Sequence, residues 1–187
     1  MTNQSLLNKL QKDVENIVLT VDKEFKKLSV SELNQKENVD KWSVLECLEH
    51  LNRYAAYYNQ AIKNALEQAK ADTTESAYKN GWFGKMSIDM MSPQNVKKQK
   101  AIAKFNPVGR QLEETVITQF LTHQQELLTM IAIAKTKNIN QRKVSVEFFK
   151  LMKMKIGDAL AFVVTHEQRH ILQAQEVLRK LKIGDAA

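Results

Sequence analysis

The stretch GDALAFVVTHEQRHILQAQEVLRKL, residues 157–181, decides the fold. Leu160, Val163, Val164, Ile171, Ala174, Leu178 and Leu181 recur at intervals of three and four, the period of one apolar face on a long helix. The same period appears three more times upstream. Leu6, Leu7, Leu10, Val14, Ile17, Val18, Val21, Phe25 and Leu28 predict a helix over about 3–28. Val44, Leu48, Leu51, Ala55, Ile62 and Leu66 predict a second over about 44–70, opened by a capping box of Ser43 and Glu46. Val116, Ile117, Phe120, Leu121, Leu128 and Ile131 predict a third over about 110–135. Four long amphipathic helices read as an all-α, four-helix bundle in one domain, residues 1–187.

Two connections are long. Residues 72–109 hold both prolines and three of the five glycines, together with Trp82, Phe83, Met86, Met90 and Met91. Apolar residues in so long a connection predict that it packs back onto the body, either as a plain crossover or as a lid. Residues 136–155 form a basic connector in which VSVEFF has strand character. From Lys85 to Lys155 there are thirteen basic and five acidic residues, so this region, including Lys97, Lys98, Lys100, Lys104, Lys143, Lys150 and Lys153, carries the whole excess of the +7 net charge. It lacks zinc-finger spacing, an RNP-like aromatic strand and a glycine-rich phosphate loop, so it is read as a solvated basic surface in preference to a nucleic-acid interface. A lone cysteine, Cys47, fits a reducing compartment, and the absence of a long apolar run excludes a membrane-spanning helix; the expected setting is cytoplasmic.

Of four histidines, His166 and His170 lie one turn apart on the terminal helix, on one face and within reach of one metal ion. At about 100° per residue they fall on the flank of the apolar stripe, with Gln173, and His50 falls on the flank of its own stripe, beside Cys47 and Tyr54. Such flanks suit a groove between helices. One reading is a site of three neutral imidazoles with an open fourth position, the layout of catalytic zinc centres; the other is a hydrogen-bonded polar seam. Tyr54 and Gln173 are candidate substrate contacts. Glu167 falls near the centre of the apolar stripe, so its carboxylate is expected to be paired, protonated or at work as a base or second-layer partner of the metal. The string His166-Glu167-Gln168-Arg169-His170 matches H-E-x-x-H, but Gln173 stands where the extended protease pattern needs glycine and no downstream third ligand is evident, which argues against a metalloprotease.

KWSVLECLEHL (41–51) and THEQRHILQAQEVL (165–178) resemble the two signatures of the DinB/YfiT-like superfamily, and GWFGKMSIDMMSP (81–93) with KFNP (104–107) resembles the crossover of its bacterial members. The resemblance implies an up-down-down-up bundle and a divalent metal, nickel or zinc in several relatives, held here by His50, His166 and His170. It implies a metal-dependent transferase or hydrolase that activates a low-molecular-weight thiol or water against a small-molecule substrate, and a homodimer. A non-catalytic metal-binding or scaffold bundle is the alternative.

Overall fold

The structure, a computed structural model, describes residues 1–72, 74, 76–95, 97, 101–147 and 149–182, without the side chains of 149–151. Lys98, Lys100 and the Lys150 side chain of the basic region lie outside the described residues. Helix α1 spans Asn3–Thr20, with the Thr2 hydroxyl accepting from the Ser5 N–H at 3.1 Å. It passes into a π-helical turn, Val21–Phe25, closed by Lys26 N–H donating to the Val21 carbonyl. That wider turn keeps Val21 and Phe25 fully buried. The expected helix to residue 28 therefore divides here, and a one-turn helix, α2 (Val30–Leu33), starts at its own Ser29–Glu32 capping box.

Helix α3 spans Val44–Glu67 and begins at the predicted Ser43–Glu46 box. Glu46 does more than cap. Besides receiving the Ser43 N–H at 2.9 Å, its fully buried carboxylate accepts from Lys36 Nζ at 2.6 Å and from Gly109 N–H at 2.8 Å. One carboxylate thus ties the loop before α3 and the far end of the crossover to the same helix terminus.

The crossover contains a helix that its sequence did not announce, α4 (Trp82–Met91), and a single 3₁₀ turn at Ala103–Phe105. Helix α5 spans Thr115–Ala134, beginning later than expected because both backbone groups of Leu112 are bonded to the Asn34 side chain, at 2.8 and 3.2 Å. The basic connector is an antiparallel hairpin, β1 (Arg142–Val146) and β2 (Phe149–Lys155), which turns Val144, Val146 and Met154 into the core. Helix α6, Ile156–Leu181, follows β2 directly.

Helices α1 and α3 each pack on both α5 and α6. One apolar cluster joins Leu6–Val14 of α1, Tyr54–Leu66 of α3, Leu127–Ala134 of α5 and Ile156–Val164 of α6. A second joins Ile17, Leu45–Leu51, Val116–Phe120 and Ile171–Leu178. On α6 His166 and His170 fall between these clusters, and on α3 His50 lies at the edge of the second, beside Leu51. Among the described residues no helix is long and apolar enough to cross a membrane.

Helix α4 hangs from α6 at both ends. At its start, buried Asp158 receives the Gly81 N–H at 3.0 Å, the Tyr78 hydroxyl and the Asn80 amide. A side chain at Gly84 would meet Asp158 at 2.2 Å, so only glycine permits this approach. At its end, the Arg169 guanidinium donates to the carbonyls of Ser92, Asn95 and Lys97 at 2.9–3.0 Å. Residues 158 and 169 are about three full turns apart and so share one face of α6. The start and end of α4 show the same spacing along the chain, so the two helices run parallel in matched register.

Candidate metal centre

Helix α3 brings His50, and α6 brings His166 and His170, to one place. One nitrogen from each ring lies within 4.8 Å of the other two. His166 Nε2 is 3.2 Å from His50 Nε2 and 3.1 Å from His170 Nε2. All three rings are buried.

The outer nitrogens set the tautomers. His50 Nδ1 lies 2.8 Å from the Phe105 carbonyl, which can only accept, so Nδ1 carries the proton and Nε2 a lone pair. His170 Nδ1 lies 3.0 Å from Gln173 Oε1, with the same result. His166 Nε2 has at most one proton to offer two neighbours, so lone pairs face each other in a buried space. A cation relieves that repulsion. The two separations to His166 Nε2 are close to the roughly 3.3 Å expected for imidazoles around a tetrahedral ion at Zn–N of about 2.05 Å. The donor set therefore fits a divalent metal ion.

Burial also empties the rings of protons. It lowers the His50 pKa to about 4 and, with repulsion from His50, that of His170 to about 3. His166 is held well below 6.5 by burial and by its two neighbours. All three are neutral near pH 7, the form a metal requires.

Aromatic rings frame the triad. Trp42 stacks on His170 at 5.4 Å and tilts against His50 at 4.7 Å. Tyr54 packs against His50 and His166 at 4.9 and 4.4 Å, and burial pushes its phenol up to about 12. A cavity of about 640 Å³ opens over the histidines, within the usual range for small-molecule sites. Tyr54 and Gln173 both line it. So do Met90, Met91, Ile102 and Val108, which make the crossover a wall of the cavity.

Glu167 is placed elsewhere. Its carboxylate accepts from Gln124 of α5 at 2.9 Å, and its second oxygen has no partner among the described residues. Burial raises its pKa to about 8, so it is largely protonated at neutral pH. It makes no hydrogen bond to the three histidines. Cys47 is also buried apart from the triad, its thiol pushed upward by burial. His123 lies against Glu126 on α5. Lys143 and Lys153 of the basic connector line a different cavity, of about 500 Å³, beside Tyr57 and Gln60. Among the described residues, the cations at the histidine cavity are Lys41, Arg169 and Lys180.

Sequence reasoning overlooked three contributors. Trp42 was visible only as the residue before a helix cap, Arg169 only as a spacer in H-E-x-x-H, and Phe105 acts through a backbone carbonyl, which leaves no signature in residue type.

Comparison with known proteins is consistent with this architecture. The chain is similar to the uncharacterized protein YuaE of Bacillus subtilis (strain 168), at 24% identity over 159 residues, covering 85% of this chain and 91% of that protein. No solved structure matches it. The family model described as the DinB superfamily matches residues 20–174, a span that takes in α3, the whole crossover and all three histidines, and the chain belongs to that superfamily.

Proposed function

We propose that this protein is a divalent-metal-dependent enzyme in which His50, His166 and His170 hold the ion and activate a thiol or a water for attack on a small-molecule substrate. The observation that carries the reading is the convergence of three Nε2 atoms whose rings are oriented from outside by the Phe105 carbonyl and Gln173. A bound ion supplies Lewis acidity, which makes a coordinated thiol or water more acidic near neutral pH. Imidazole donors suit zinc and nickel alike. Three protein ligands leave room for an exogenous one, and the cavity leads to it.

The protein's own groups orient and exclude water. Trp42 and Tyr54 wall the triad with apolar surface, and Gln173 fixes the His170 ring. Glu167 acts here as a neutral acid bracing α6 against α5, not as the base of a protease. The shared apolar clusters support an up-down-down-up order within one domain, and the single buried cysteine supports a cytoplasmic setting. The same reading includes a homodimer, on the family resemblance.

The test begins with metal. The protein, purified without a polyhistidine tag and supplemented with zinc or nickel, should hold about one ion per chain, and His166→Ala should hold none. Absence of stoichiometric metal in the wild type would refute the proposal. Thiol transfer to a panel of electrophiles, set against ester and amide hydrolysis, then separates transferase from hydrolase. A loaded protein inactive in both assays favours a non-catalytic metal-binding bundle.

A further inference from the structure

The cavity over the histidines is lined by two kinds of chain. The segments 37–41 and 173–180 contribute Glu37, Asp40, Lys41, Glu176 and Lys180. These charges largely answer one another. Lys180 lies 3.2 Å from Glu37 and 3.6 Å from Glu176, and Arg169, a second cation of the lining beside Lys41, is committed to three backbone carbonyls. Among the described residues, three basic and three acidic side chains share this lining, a balance that favours no sign of charge. The crossover contributes Met90, Met91, Ala101, Ile102 and Val108, with Asn106 as its polar member.

That apolar share continues out of the cavity. Met90 is 37% exposed, Ile102 41% and Val108 43% although all three line the cavity, and on α4 the stripe runs outward through Met86 at 44% to Trp82 at 75%. Trp82, Met86 and Met90 are spaced by four and lie along one face of α4. An apolar strip thus leads from the histidines over the mouth and along α4. Water-exposed apolar surface joined to a cavity marks a binding surface. Its methionines are unbranched and adapt to varied shapes.

Resting on the metal-centre reading above, we infer that the molecule reaching the three-histidine site carries an extended apolar group, alkyl or aryl, which lies along Met90, Met91, Ile102 and Val108. The charged segments exclude no particular ion, and the apolar strip supplies the selectivity. A substrate without such a group leaves the strip in water and binds more weakly.

Straight-chain alkanethiols, from ethanethiol to hexanethiol, test this on cobalt-loaded protein through thiolate-to-cobalt absorption, after metal content has been measured for every variant. Affinity should rise about fourfold per methylene. Met90→Gln and Ile102→Ser, both at exposed positions, should flatten that dependence, whereas Leu172→Ser, exposed on α6 and away from the cavity, should retain it. Equal affinity along the series in fully loaded protein overturns the inference and leaves the metal centre standing. A rise that survives both crossover substitutions, or that Leu172→Ser flattens equally, also overturns it. Failure to take up cobalt removes the metal centre itself, and this inference with it.

Discussion

His50 and His170 show how burial keeps a titratable side chain in the neutral form that a metal requires. In the unfolded chain a histidine takes a proton near 6.5, whereas these two refuse it until about 4 and about 3. Below pH 6.5 the unfolded state binds more protons, so the stability of the metal-free protein falls as pH drops from 6.5 toward 3. Glu167 works in the opposite direction. It keeps its proton up to about 8 when folded and loses it near 4.5 when unfolded, so its contribution declines as pH rises from 4.5 to 8. Glu167→Gln keeps the shape and abolishes that titration. The metal-free variant should therefore gain on the wild type between about pH 5 and about pH 8, by up to a few kcal/mol, in denaturant unfolding. Parallel curves for the two proteins would show that this carboxyl is not held neutral. Much of the residue scale was legible in the sequence. Helical phase alone put His50, His166 and His170 on the flanks of their stripes, where helices meet, and put Glu167 at a stripe centre. Gln173 was legible on the same flank as His170, whereas the partner of His50 was not, because Phe105 offers a carbonyl that any residue would offer.

At the scale of elements, the four long helices were legible and the fifth was not. The long helices bury one stripe each, which writes a three-four period into the sequence. Helix α4 is short, carries a glycine at its third position and leaves its Trp82, Met86 and Met90 stripe largely in water, so the period spans too few turns to announce a helix. Its position depends on α6. Gly84→Ala forces a methyl into Asp158 and should loosen α4 from α6, costing about 1–3 kcal/mol as overpacking does. Proteolysis should then cut first within 92–109, and an unchanged cleavage rate would contradict the assigned role. Glu46 holds the other end of the crossover. Glu46→Ala removes half of the capping box, leaves the buried Ser43 N–H unpaired and releases Gly109 and Lys36, for a loss of about 2–4 kcal/mol in denaturant unfolding. A loss below about 1 kcal/mol would show that water replaces the carboxylate.

For the whole molecule, the proposed metal would be linked to the fold, because the three histidines come from helices more than a hundred residues apart in sequence. An ion that binds only the folded chain stabilises it by about 2.7 kcal/mol at a hundredfold excess over Kd. For a chain of 187 residues that corresponds to roughly 5–10 °C in melting temperature. Zinc or nickel should raise the melting temperature by that amount, a chelator should reverse it, and His166→Ala should respond to neither. A metal-induced shift of equal size in His166→Ala would place the ion elsewhere. The matched register of α4 and α6 also limits how the gene can change. Dropping a single codon between positions 158 and 166 would swing the Asp158 anchor about 100° around α6 relative to the ligands. The wall of the cavity and the ion's donors could then no longer be satisfied together, so length variation in this lineage is expected in the loops and excluded from this one helical segment.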